Sequence, residues 1–287
     1  MNYVRPACPA VLAFVLLGCQ TIPGTPPSAS AYPPDDNLNA LVWQQTSEDY
    51  RLIASETYRA AAQQLDRALN DPAWDALMLE DRNRPAAGLP PAVIVDVDET
   101  VLDNSAYQAR LVRDRRAFDE FTWHNWAGEE AATAVPGAVA FTQAAAAKGI
   151  AVYYISNRAQ DLEQVTINNL RKLGFPIVDP SQFLGLGTVL DGCEDNGSEK
   201  GCRRRLVGRS HRVLVQVGDQ VVDMVTVLAN TPEGRHQAVA PYLAWLGERW
   251  FVLPNATYGS WEPALFNNDW TQSAEDRRRQ KMEALRY

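Results

Sequence analysis

"PAVIVDVDETVLDN", residues 91–104, drives an aliphatic run straight into a cluster of acids. The "AVIV" portion (92–95) is apolar throughout and β-branched at three of its four positions, which is how a strand buried on both faces of a parallel sheet reads. The strand ends where the acids begin, at Asp96. Two later segments follow the same pattern: "IAVYYIS" (150–156) ends at Ser156, and "RVLVQVGD" (212–219) ends at Asp219. "RWFVLP" (249–254) reads as a fourth strand and "QFLGLG" (182–187) as a short one.

Helical segments separate these strands. "AVPGAVAFTQAAAAKG" opens near Pro136 and closes at Gly149, "AQDLEQVTINNLRKLG" ends at Gly174, and "KGCRRRLVGRS" is also helical in character. Alternating buried strands and helices predict an α/β fold, a parallel sheet sandwiched by helices. Residues 103–135 break the alternation, carry Trp123 and Trp126, and read as an inserted cap. Ahead of the sheet, apolar residues at helical spacing predict one long helix or two joined helices over 37–70, within an N-terminal helical region of 37–80. Residues 81–91 read as loop. "EDRRRQK" (275–281) reads as the solvated face of a terminal helix.

The chain of 287 residues has a net charge of −8, which argues against nucleic acid as the main partner because phosphate binding needs a basic surface. A small phosphorylated ligand needs only a few local donors and stays open. The 3 histidines, His124, His211 and His236, argue against a multi-histidine metal site or a phosphatase built on paired histidines. His124 reads as structural or exposed.

Residues 1–18 have the proportions of a secretory signal: a basic start at Arg5 and an apolar run too short to span a bilayer. "LLGC" (16–19) resembles a bacterial lipobox, which would make Cys19 a lipidated residue that ties the protein to the membrane. Residues 19–36, rich in Pro and Ser, read as a disordered tether. Residues 37–287 then form the folded domain. In an oxidising compartment Cys193 and Cys202 read as a disulfide, with two free thiols as the alternative.

Ligands of open parallel sheets bind beyond the carboxyl ends of the strands. Asp96, Asp98, Ser156 and Asp219 therefore converge on one crevice. Carboxylates this close need a compensating cation, and a hard divalent ion such as Mg²⁺ suits oxygen ligands beside phosphate. One carboxylate can serve as covalent nucleophile and a second, two residues along, can move protons. Ser156 can hydrogen-bond phosphoryl oxygens.

"DVDETVLDNSAY", "YYISNR" and "VGDQVVDM" come in the motif order of the haloacid dehalogenase (HAD) superfamily. Together with "ALVWQQTSEDYR", "FTWHNW", "AVPGAVAF", "LRKLGF" and "LPNATYGSWE", they resemble the class C acid phosphatases, the bacterial outer-membrane lipoprotein 5′-nucleotidases. The resemblance spans about Leu38 to Leu265 and implies a HAD-like, Rossmann-like fold. It implies a Mg²⁺-dependent phosphomonoesterase with nucleoside 5′-monophosphates as expected substrates. Asp96 would be nucleophile and metal ligand. Asp98 would be general acid/base and would reach the metal through its backbone carbonyl. Asp219 would be the third ligand, with Asp223 as acidic support. Ser156 and Asn157 would hold the phosphoryl group, and Trp123 and Tyr258 would face the base. Lys200 is chosen as the third-motif cation, with Arg203 or Arg204 as substitutes. Glu99 and Asp103 are read as solvated or structural, and Trp126 as packing. Gln20 after the lipobox cysteine suggests the outer membrane. The alternative reading is a HAD-fold surface protein for binding or storage, whose mark would be a missing Asp96.

Overall fold

A computed structural model of the chain describes residues 35–188 and 197–287. The signal (1–18), Cys19, nearly all of the tether (19–36) and Cys193 lie outside the described residues. Cys202 is disulfide-bonded.

β1 (Pro91–Val95) sits at the centre of a five-stranded sheet, between β4 (Ala151–Ala159) and β6 (Arg212–Gly218). β5 (Phe183–Leu186) lies outside β4, and β7 (Trp250–Val252) lies outside β6. All these pairings are parallel, with Ile94 opposite Tyr153 on one side and Gln216 on the other. The second strand is longer than expected. It passes Ser156 and continues to Ala159, with a register irregularity between Ile155 and Ala159. β7 is shorter than the 249–254 expected.

The alternation of a strand decides the two cores. Val93 and Val95 face a core shared with Ala54, Tyr58, Ala61 and Leu65 of α2 (Glu48–Asn70) and Phe141 of α5 (Ala138–Ala147). Ile167 and Leu170 of α6 (Glu163–Lys172) join that core. Ala92 and Ile94 face the opposite core, with Val207 of α7 (Gly201–Ser210), Val213 and Trp250. Every residue from Ala92 to Val95 is thus buried on one face or the other. Burying a Val or Ile side chain is worth about 1.5–3 kcal/mol, so this strand anchors the sheet.

α1 (Leu38–Thr46) and α2 are two helices, not one: Ser47 is extended, and its hydroxyl accepts from the backbone N–H groups of Asp49 and Tyr50 as the α2 cap. α5 approaches α2 closely at Gly137. A Cβ there would sit 3.0 Å from Tyr58 Cβ, and its φ of +91° favours glycine. The Tyr58 hydroxyl in turn donates to the Thr100 carbonyl at 2.6 Å. Residues 103–135 contain α3 (Ser105–Asp114) and α4 (Glu120–Gly128), framed by the antiparallel pair β2 (Leu102–Asp103) and β3 (Thr133–Ala134). α8 (Pro232–Val239) was not anticipated, because it buries none of its residues and so leaves no apolar stripe. α9 (Ala274–Glu283) covers the terminal run and is likewise unburied. Among the described residues no helix is long and apolar enough to cross a membrane.

Candidate active site

The chain reverses its direction of winding at β1, where β4 and β6 flank it, and the crevice past the strand ends is the ligand position of such sheets. Asp96 follows β1, and its backbone N–H is held by the Val217 carbonyl of β6 at 2.9 Å. Its side chain is buried. Thr100 Oγ1 donates to Asp96 Oδ2 at 2.9 Å, and Lys200 Nζ donates to Asp96 Oδ1. Lys200 also donates to Asp223 Oδ1 at 2.9 Å.

The three candidate third-motif cations separate cleanly. Only Lys200 among them contacts Asp96 in the described residues. Arg203 donates to the Ser156 carbonyl and to Asn157 Oδ1, the latter at 2.6 Å, and so braces the end of β4. Arg204 is fully buried and donates to Asp81 at 2.6 Å and to the Asp223 carbonyl at 3.1 Å.

Asp96, Asp219 and Asp223 each offer a carboxylate oxygen, and these oxygens lie within 4.8 Å of one another. Asp223 can come this close because position 218 is glycine: a Cβ there would overlap the Asp223 carboxylate. Asn255 Nδ2 donates to Asp219 Oδ2 at 2.7 Å and fixes its rotamer. Three buried carboxylates face one buried ammonium, an excess of negative charge with oxygen donors only. That set fits a hard divalent cation. Asp96, Asp219 and Asp223 would hold it; Asp223, expected as support, stands in the cluster itself.

Asp98 points its carboxylate elsewhere. Asp98 Oδ1 accepts from Asn104 Nδ2 at 2.9 Å and from Arg158 Nε at 3.0 Å. Oδ2 accepts from Ser156 Oγ at 3.3 Å. Two adjacent carboxylates are thus given different surroundings, one among acids and a lysine, the other among neutral and guanidinium donors.

Glu99 is buried rather than solvated. It sits at a φ of +57°, with Oε1 accepting from the Asn104 backbone N–H at 2.7 Å and Oε2 accepting from the Tyr258 hydroxyl. Tyr258 is half-buried, and so is Trp123, whose ring packs edge-on against Tyr107. Trp126 is buried and donates from Nε1 to Asn104 Oδ1 at 2.9 Å, a packing role. Asp103 accepts from Gln44 Nε2 and Ser105 N. His124 is on the surface, near Asp161. Arg158, Asn104 and Asn255 were not singled out from the sequence. Their one local signal is position inside or beside the quoted motifs, "SNR", "LDN" and "LPN".

Burial raises the Asp96 carboxyl to about 7, opposed by Lys200 and reinforced by Asp223. Burial raises Glu99 to about 8 and pushes Asp219 well above the carboxylate range. These groups bind protons more tightly folded than unfolded. Their contribution is present at low pH and is lost as pH rises through their folded values. Chelator-treated protein should therefore melt at a higher temperature near pH 5 than near pH 8, by roughly several degrees, and a divalent cation should recover stability at the higher pH. Thermal melts across that range check this; equal melting temperatures in chelator would contradict it.

Sheet order, crevice and acid cluster together define an α/β protein of the HAD type. Residues 33–261 match the family model described as HAD superfamily, subfamily IIIB (Acid phosphatase), and the chain belongs to that family of phosphoric monoester hydrolases. The class C acid phosphatase from Bacillus anthracis is similar in structure, with a TM-score of 0.75 and 29% identity, over 88% of this chain and 97% of that one. A second structure of that enzyme, with tungstate bound, matches to the same extent. Acid phosphatase 1 from Solanum lycopersicum is 27% identical over 139 residues, 46% of this chain. The chain spans about half the length of that curated relative, 51%.

Proposed function

We propose that this chain is a Mg²⁺-dependent acid phosphatase that hydrolyses phosphomonoesters, with nucleoside 5′-monophosphates as preferred substrates. The observation that carries the reading is the buried Asp96 carboxylate, in contact with Lys200 at the ligand end of the sheet. Asp96 attacks phosphorus, and the bond from phosphorus to the leaving oxygen breaks as Asp98 supplies its proton. Water then attacks the aspartyl-phosphate, Asp98 takes the water's proton, and Asp96 leaves as carboxylate with release of inorganic phosphate. Ser156 and Asn157 hold the phosphoryl oxygens, and Lys200 balances their charge. A bound cation would supply neutralisation of the phosphoryl charge. Tungstate, bound by the similar class C enzyme, is a tetrahedral oxyanion like phosphate, which supports an oxyanion site.

Trp123 and Tyr258 present half-buried aromatic rings, a suitable platform for a nucleobase. With the Tyr258 hydroxyl committed to Glu99, only its ring is left for the substrate. We further propose that residues 1–18 are a signal, that Cys19 carries lipid, that 19–36 is a tether and that the protein is held at the outer membrane. Cys193 is the proposed partner of Cys202.

The test is phosphate release by the mature protein from nucleoside 5′-monophosphates and simple phosphate esters, with Mg²⁺ and with chelator. Turnover should require the metal and be greatest on nucleotides. No release from any ester would favour the binding or storage reading.

A further inference from the structure

Arg158 is a buried cation that the scheme above leaves unassigned. It is 2% exposed and lies near the end of β4, in line with Ser156. Its Nε donates to Asp98 Oδ1 at 3.0 Å, and its Nη2 lies 2.9 Å from the same carboxylate oxygen. Nη2 also donates to Asn104 Oδ1 at 3.2 Å, and Nη1 to Thr166 Oγ1 at 3.1 Å. The guanidinium lies over the Trp123 ring, 5.2 Å from its centroid. Four separate segments are therefore gathered by one side chain: the β1 loop, the β2–α3 junction, α6 and the cap helix α4.

The two oxygens of Asp98 are not equivalent. Oδ1 takes donors from Arg158 and from Asn104 Nδ2, whereas Oδ2 meets the weakly placed Ser156 hydroxyl at 3.3 Å. A carboxylate gripped by a rigid fork on one oxygen cannot rotate freely. We propose that Arg158 is a positioning residue: it pins Asp98 through Oδ1, so that Oδ2 is the oxygen presented to the leaving group. Its contact with Trp123 sets the cap helix against the same fork, so the substrate platform and the proton donor are placed by one group. This rests on the phosphatase reading above.

Leaving-group dependence separates positioning from mere support. A poor leaving group, such as an alkyl alcohol, needs its proton in the transition state, whereas p-nitrophenolate leaves without one. General acid catalysis contributes about 10²–10⁴-fold, and misplacement by about 1 Å can cost about 10²-fold. kcat/KM reports formation of the aspartyl-phosphate. In Arg158→Gln it should fall about 10²-fold on an alkyl phosphate and less than about tenfold on p-nitrophenyl phosphate. Arg158→Lys, which keeps the charge without the fork, should show the same skew to a smaller degree. An equal fall on both esters, or loss of the fold in both variants, would overturn the proposal and leave Arg158 as structure. Absence of activity in the wild-type protein would instead defeat the phosphatase reading itself, so the two failures are distinguishable.

Discussion

Asp96→Asn should lower turnover by about 10⁴-fold or more, in line with losses of a covalent nucleophile in other enzymes, while the protein still folds. The amide matches the carboxylate in shape: its oxygen can still accept from Lys200, and its NH2 can donate to the Thr100 hydroxyl, which turns to accept. What it lacks is the charge that attacks phosphorus. Stability should not suffer, because the carboxyl it replaces is a buried acid in a site already rich in acid. The Lys200 ammonium keeps Asp223 as its partner. Steady-state kinetics and a melt of the same sample measure both halves. Near-normal hydrolysis by the variant would sink the nucleophile assignment.

Lys200→Met should fail on both counts. Lys200 is 4% exposed, and although burial works against its charge, Asp223 and Asp96 outweigh that and hold it protonated. Methionine fills similar space and leaves Asp96, Asp219 and Asp223 facing one another without a counter-charge. Breaking a buried ion pair from one side costs about 3–5 kcal/mol. In chelator the variant should therefore melt well below wild type at neutral pH, and Mg²⁺ should narrow the gap. Activity with Mg²⁺ should fall about 10²–10³-fold, the usual loss for one group that stabilises developing charge. Wild-type melting and turnover in chelator and in Mg²⁺ would show that Lys200 does neither job.

Much of the sheet was legible because its signal is local. Four consecutive buried residues at 92–95 and acids at 96 and 98 need no distant partner to be recognised. The approach of Lys200 to Asp96 was reachable only through the resemblance, since the two lie 104 positions apart. The pairing of Arg204 with Asp81, 123 positions apart, had no local trace: Arg204 read as a possible substitute for Lys200, and Asp81 as part of a loop. Arg158 was invisible for a different reason. Next to a serine and an asparagine it reads as a polar strand end, while in the fold β4 continues past it and carries it inward. For Glu99 the sequence left solvated and structural open, because the two partners that decide for structure, Tyr258 and the Asn104 backbone N–H, come from a distant loop and from the following turn. Asp223 read as support beside the site because nothing in "GDQVVD" says that the glycine lets the last acid into the cluster.

The hydrogen bond from Tyr58 to the Thr100 carbonyl ties the loop carrying Asp96 and Asp98 to α2, a helix that precedes the sheet in the chain. Tyr58 itself is wedged against Gly137, so its footing depends on α5 as well. The N-terminal helices are therefore no accessory leader to the sheet: they are part of the frame that holds the loop of Asp96 and Asp98 in place. A boundary drawn at the first strand would keep the acids and cut away the helix that holds their loop.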